Sequence, residues 1–354
     1  MTTAQVDATF HGKAYGSVAQ KLQAGGMQVG MLRPWIGTDG NTYVTVNQGG
    51  QPKAVPIVND ATLRKDEWKQ YDEAIIRVAR ERLTGIADLE SRGLVYNITN
   101  GLAKTVLEYE DMDDPGEASV SMDGVAKAKA FRPQFGIKYL PLPIIHADYF
   151  LNARVLASSR TTGEALDTTM AEVAVRRINE KLEDMLFGGT TNEFAFGGGT
   201  IETYITFDHR ETGSMTAHWN DSAATGATIL GDVLGMIQKS IDNSYYGPWV
   251  LYIPTEFQTA IEEDYVVGYP KTIRQRLLEV NGLQDIKVAD RLATDNIVLV
   301  QMTSDVVRLV TGMAITPVEW ESEGGMRHHF KVMTIKVPQL RADHNNKTGI
   351  VHYT

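Results

Sequence analysis

LDTTMAEVAVRRINEKLEDMLFGG, residues Leu166–Gly189, is the stretch on which the fold turns. Apolar residues return every three or four positions, at Ala171, Ala174 or Val175, Ile178, Leu182, and Met185 or Leu186, so they line one face of an α-helix. Asp167 or Thr168 can cap its start, because a side-chain oxygen there accepts from the free N–H groups of the first turn. Glu172 with Arg176, and Arg176 with Glu180, place opposite charges four residues apart, and Gly188-Gly189 supply a stop. At a rise of about 1.5 Å per residue, roughly 20 residues make a stiff rod about 30 Å long.

The segments around the rod read differently. Upstream, KTVLEYE (104–110) and FGIKYL (135–140) alternate with period two across a polar connection carrying Pro and Gly, which predicts a large hairpin. Such a ribbon packs poorly on one domain and should project onto something else. PLPIIHADYF follows it and is expected to lead into a short helix from about Asp148. Further upstream, DEWKQYDEAIIRVARERLTG is an amphipathic helix, with Asp66 as N-cap and Trp68, Tyr71, Ile75, Val78 or Ala79, and Leu83 on one face. Residues 1–65, punctuated by glycines, read as an extended arm.

Downstream of the rod, a glycine-rich passage leads to ATILGDVLGMIQKSIDNS, an amphipathic helix, and GPWVLYIP, a strand. TEFQTAIEEDY and TIRQRLLEV read as helices, and IVLVQM and VVRLVTG as buried strands. The chain ends in strand-rich sequence, with Gly324-Gly325 placed for a hairpin turn. Helices and strands mix without a βαβ rhythm, so the fold class is α+β.

Composition narrows the function. At 354 residues the chain is long enough for a sizeable core and is expected to divide into two lobes. Its 43% hydrophobic and 22% charged content is that of a globular protein, which excludes disorder. No apolar run approaches membrane-spanning length, the start lacks a secretion signal, and the expected compartment is cytoplasmic. The lack of cysteine removes disulfides and thiolate chemistry. A net charge of −10 is the wrong sign for a broad nucleic-acid grip, although the arm through Lys65 carries six bases against three acids.

Motifs with chemistry are missing. GGTTN and FGGGT resemble phosphate cradles but lack the following Gly-Lys-Ser/Thr, and read as loop glycines. His328 and His329, adjacent in a strand, point to opposite faces and cannot share a metal, and the remaining histidines have no ligand spacing. There is no nucleophile elbow. No catalytic, cofactor or metal residue is expected. The acidic run Glu108, Glu110, Asp111, Asp113, Asp114 and Glu117 lacks the spacing of a calcium loop and reads as a solvated or partner-facing charge run.

The order of parts resembles the Hong Kong 97 fold of tailed-phage major capsid proteins and encapsulin shells, in particular an encapsulin-like phage capsid group. The resemblance rests on RKDEWKQYDEAIIRVARERLTGIADLESRGL, PLPIIHADYFLNARVLASSR, LDTTMAEVAVRRINEKLEDMLFGG, YYGPWVLYIPTEF and VPQLRADHNNKTGIVHY. It implies an N-terminal arm (1–65), a first helix region (66–96) in a peripheral domain, an extended hairpin loop (97–147), a spine helix with a Gly-rich insert (148–223), an axial domain (224–312) and returning strands (313–354). The implied protein is a non-enzymatic virion component, assembled in the host cytoplasm as hexamers and pentamers of an icosahedral shell around double-stranded DNA. It would have no cofactor and no membrane, and scaffolding, portal and decoration proteins as its separate partners. A cellular encapsulin holding a cargo enzyme, and a two-lobed soluble enzyme, are the alternatives.

Two departures from the founding member stand out. The short glycine-rich arm at the start is expected to stand without an additional cleaved scaffold segment, which implies a separate scaffolding protein or none, and HHFKVMTIKV, which resembles the strand carrying a cross-linking asparagine, contains no Asn, although Lys104, Lys127 and Lys129 lie in the hairpin. If the hairpin lies on a neighbour, its acids are expected to meet Arg176 and Arg177 on the spine helix, or Arg154 and Arg160 before it.

Overall fold

The computed structural model describes residues 34–36, 42–48, 51–56, 84–112, 122, 135–154, 169–266 and 271–354. In chain order its elements begin with β1 (Pro34–Ile36), β2 (Thr42–Gln48), β3 (Gln51–Pro56), α1 (Gly85–Ser91), β4 (Val95–Asn97), β5 (Val106–Met112), β6 (Phe135–Pro141), β7 (Ile145–Asn152) and α2 (Thr169–Phe187). They continue with β8 (Phe194–Phe196), β9 (Gly199–Ile201), β10 (Glu211–Gly213), α3 (Gly226–Asp242), β11 (Trp249–Ile253), α4 (Ile273–Leu278), β12 (Leu283–Val288), β13 (Ile297–Gln301), β14 (Val307–Ser322), β15 (Arg327–Leu340) and β16 (Ile350–Tyr353).

Two sheets organise the core. One has the order β10-β16-β13-β11-β12, the other β4-β14-β15-β7. β11 and β13 are apolar almost throughout because both faces of the first sheet are covered. Val250, Tyr252, Val298 and Val300 join the core that includes the buried stripe of α2, whereas Trp249, Leu251, Ile253, Ile297 and Leu299 pack in a second core with Ile229, Val233 and Met236 of α3. The first of these cores also takes in Leu309, Phe330 and Val332 of the second sheet, so one continuous core joins both sheets through α2.

The rod forms as its periodicity predicts: Ala171, Ala174, Val175, Ile178, Leu182, Met185 and Leu186 are all buried. Asp167 and Thr168, expected as caps, lie outside the described residues, as do the first-helix residues 66–83. Gly188 N–H bonds to the Asp184 carbonyl at 2.8 Å, and Tyr204 N–H bonds to the Leu186 carbonyl at 2.8 Å, so the returning chain satisfies groups that a helix end leaves open. The expected i,i+4 pairings give way to Arg177 with Glu180 at 3.6 Å and Arg291 with Glu180 at 3.2 Å.

Two expectations need correction. The chain turns helical later than Asp148: β7 runs to Asn152 and pairs with β15, its inward positions Ile145, Ala147, Tyr149 and Leu151 alternating with exposed ones, and helix appears only after it, at Ala153 and Arg154. That period-two signal, together with the open edge of β15, wins over a helix. TEFQTAIEEDY forms two single 3-10 turns, Thr255–Phe257 and Ala260–Glu262, because the backbone at Glu263 is extended and ends the second one. The extended arm itself contains a three-stranded antiparallel sheet, β1-β2-β3, with β2 and β3 in register from Tyr43 opposite Pro56 to Gln48 opposite Gln51. Its Trp35 lies 5.2 Å from Tyr43 and packs against the large core.

At the end of the chain, β14 and β15 form a long hairpin that turns through Glu323–Gly325, with Gly324 and Gly325 at positive φ. β16 leaves that pair and joins the five-stranded sheet between β10 and β13.

Candidate functional site

The hairpin expected between residues 104 and 140 is present as β5 and β6, paired in register from Val106 opposite Pro141 to Met112 opposite Phe135. Its base is anchored. Leu140 and Leu142 are buried with Ile98, Met185, Val310, Ile335 and Val337, and Leu107 and Tyr109 pack beside them. The other face is open to solvent: Glu108 sits opposite Tyr139, Glu110 opposite Ile137, and all four are exposed, Ile137 by 59%. Strand alternation therefore splits the acidic run. Asp111, opposite Gly136, stands one residue out of phase with the two glutamates, and Asp113, Asp114 and Glu117 lie outside the described residues.

The expected basic partners are also exposed. Arg176 and Arg177 lie on the outer face of α2, which also shows Met170 and Val173, and Arg154 follows β7; Arg160 is outside the described residues. Among the described residues no ion pair joins Glu108 or Glu110 to Arg154, Arg176 or Arg177. One subunit thus presents an acidic and apolar ribbon and, elsewhere, a basic and apolar helix face.

The insert after α2 supports the ribbon. β8 and β9 make a tight hairpin whose turn glycines, Gly197 and Gly198, both have positive φ, which explains the glycines of FGGGT without any phosphate. A Cβ on Gly199 would run into the Tyr139 carbonyl, so only glycine lets β9 lie this close to β6. Phe194 and Phe196 are left exposed beside it. A cavity of about 190 Å³ opens under the ribbon, between Tyr109, Lys138, Glu202, Asp208, His209 and Arg341, and burial raises the Glu202 carboxyl above its usual range.

A second polar group was not visible in the sequence. Asp88 of α1, 3% exposed, accepts hydrogen bonds from Lys287 Nζ (2.7 Å), the Tyr252 hydroxyl (2.8 Å) and Arg92 Nε (2.9 Å). Burial pushes its carboxyl up, but the donors from Lys287, Arg92 and Tyr252 outweigh burial and leave it below the usual carboxylate range. Arg92 also reaches Gln284 of β12. On its other side α1 is held by Glu183 of α2, whose carboxylate accepts the N–H groups of Gly85 (3.0 Å) and Ile86 (3.1 Å). Between these carboxylates Phe187, Tyr204 and Tyr252 pack ring against ring, with centroids 5.0 to 6.1 Å apart.

Gly85 is where α1 meets α2. A Cβ there would lie 2.5 Å from Leu186 Cδ2 and from the Phe187 ring, and that ring is locked among the tyrosines. Gly85→Ala is expected to cost about 1–3 kcal/mol by overpacking, read as a lowered denaturant midpoint with unchanged slope; an unshifted midpoint would show that the helices separate freely.

Glu319, Glu321 and His328 are brought to one side of the β14-β15 pair, their ligand-type atoms within 4.8 Å of one another, while His329 stacks on Trp320 at 5.3 Å. His328 Nδ1 lies 3.4 Å from Glu321, and all three residues have further partners, so the group reads as a polar network of the sheet. No described helix is long and apolar enough to cross a membrane.

Residues 58–353 match a family of unknown function, DUF6260. A type 1 encapsulin shell protein, EncA of Myxococcus xanthus, is 21% identical over 236 residues, covering 66% of this chain and 71% of its own length. Among solved structures, a virus-like particle from Pyrococcus furiosus superimposes with a TM-score of 0.57 at 16% identity, over 81% of this chain and 99% of that one. The capsid of Myoviridae phage XM1 gives 0.57 at 8% identity, over 75% and 90% of the two chains. The capsid of an empty GTA particle gives 0.54 at 13%, over 77% and 91%. At such identities the likeness is one of fold.

Proposed function

We propose, given that this chain belongs to the family of unknown function DUF6260 and has the Hong Kong 97 fold, that it is a major capsid protein whose copies close into an icosahedral shell around phage double-stranded DNA. The observation that carries this reading is the uncovered ribbon face. Glu108, Glu110, Ile137 and Tyr139 are exposed on one subunit, and in charge and apolar character they match the outer face of α2. Laid on a neighbour, Ile137 and Tyr139 would meet Met170 and Val173, and the glutamates would meet Arg176 and Arg177. Hexamers and pentamers would repeat this contact. In this reading the peripheral domain holds α2 and the β14-β15 pair, and the axial domain is built around the five-stranded sheet. The chain performs no catalysis, its location is the virion, and scaffolding, portal and decoration proteins are its separate partners.

The second reading, an encapsulin that holds a protein cargo, is favoured by the Myxococcus xanthus relative. The long glycine-rich arm and the insert at 188–222, here the β8-β9 hairpin, favour the phage. Shells purified from the native source would separate the two: nuclease-protected double-stranded DNA supports the capsid, and a co-purifying cargo enzyme without DNA overturns it.

The ribbon contact has its own test. Single exposed ion pairs contribute only about 0–1 kcal/mol, so the double change Glu108→Gln with Glu110→Gln is expected to leave subunit melting unchanged. Because every subunit repeats the pair, assembly yield by light scattering should fall several-fold, and added salt should weaken wild-type assembly in the same direction. Unaltered yield under both treatments would mean that the ribbon docks through its apolar residues alone.

A further inference from the structure

Arg308 and Gln339 pair across the β14-β15 hairpin, two positions beyond Val310 and Val337, so they continue the face on which the ribbon base packs. Arg341 N–H bonds to the Val306 carbonyl at 2.8 Å, which extends the pairing and brings Arg341 to the same side as Gln339. Arg308 Nε donates to Gln339 Oε1 at 2.6 Å, and this fixes the amide. Its other end, Nε2 of a residue 1% exposed, is therefore a buried donor, and it has no partner among the described residues. The Arg308 guanidinium stacks 4.5 Å from the Tyr96 ring, and Arg341 Nη1 reaches the Ser304 carbonyl at 3.3 Å. Among the described residues neither arginine forms an ion pair. Asp343, two residues past Arg341, is turned onto the N–H groups of Asn345 (2.9 Å) and Lys347 (2.7 Å).

We propose that Arg308, Gln339 and Arg341 bind a small oxyanion of the phosphate class in the cavity under the ribbon, which Gln339 and Arg341 line. Every free polar group of the three is a donor, and guanidinium edges beside an amide N–H are the donors that oxyanions take. At about 190 Å³ the cavity far exceeds the ~10–15 Å³ that one water needs. A water would satisfy the Gln339 amide but leave two like charges side by side. Burial and the Arg341 charge push Arg308 below the usual arginine value, yet a guanidinium does not give up its proton. The cost of holding the pair together therefore stays with the fold until an anion offsets it. The acids of the same cavity do not: Glu110 and Asp208 are exposed, and burial raises the Glu202 carboxyl toward its neutral form. The three donors belong to one subunit, so the site stands or falls independently of the shell.

Calorimetric titration of the full chain with inorganic phosphate, at an ionic strength held constant with chloride, tests it. Saturable binding is expected, with sulfate competing and chloride not. Arg341→Gln should weaken the affinity about tenfold or more, since it removes a charged donor from the site. Gln339→Glu keeps the shape and puts an anion in place between the arginines. It should abolish phosphate binding without lowering the denaturant midpoint, whereas a buried carboxylate with no cation beside it destabilises. Absence of saturable binding overturns the site, as does binding that both substitutions leave intact or that chloride matches. A Gln339→Glu chain that does not fold overturns it too, because two unneutralised arginines should hold a carboxylate there.

Discussion

Leu182→Ala is expected to destabilise the subunit by about 2–5 kcal/mol, because the side chain is fully buried and its neighbours can close only part of the cavity. Leu182 belongs to the core that α2 shares with both sheets, alongside Val175, Ile178 and Leu186. A void there weakens the helix that packs against β7, β15 and α1. Arg176→Ala, on the exposed side of the same helix, should change subunit stability by no more than about 0.5 kcal/mol. Urea titrations of the two variants check both numbers, and the reverse ranking would mean that the apolar stripe of α2 has been assigned to the wrong face.

Asp88→Ala is the second large effect. Removing one partner of a buried charge pair costs about 3–5 kcal/mol. Lys287 and Arg92 keep roughly a quarter of their side chains in water, which softens the loss, but the fully buried Tyr252 hydroxyl loses its acceptor. We therefore expect about 3 kcal/mol, the low end of that range, measured by denaturant midpoint. Asp88→Asn, which keeps an acceptor oxygen, should cost less. With its carboxyl held below the usual 3.8, Asp88 contributes stability above that value and loses it as pH falls through its folded pKa. Acid unfolding of Asp88→Asn should accordingly be shallower than that of the wild type; an identical acid limb would show that the three donors do not hold the folded-state carboxylate.

What the sequence made legible was periodic. The stripe of α2, the two-sided strands β11 and β13, and the alternation on either side of the long hairpin all repeat often enough to be read, and each is present. Tyr43-Val44-Thr45-Val46 alternates too, but it lies among glycines that were read only as marking an extended arm. The same signal at Ile145 to Leu151 was passed over for a helix. The polar joint was not legible at all. Glu183 meets Gly85 98 residues away and Asp88 meets Lys287 199 residues away, and no local pattern marks a carboxylate as the partner of a distant backbone. The acidic run was seen, yet which acids share a face followed only from the register that sets Glu108 against Tyr139 and Glu110 against Ile137. For the basic partners on α2, the exposure of Arg176 and Arg177 agrees with the periodicity, and their proposed contact belongs to the assembly.

Electron microscopy of the purified full-length chain tests the shell reading most directly. Closed icosahedral particles of uniform size, with the β5-β6 ribbon of one subunit lying on α2 of the next, are the predicted result. Isolated monomers or small open oligomers under every assembly condition, salt and crowding included, would contradict it.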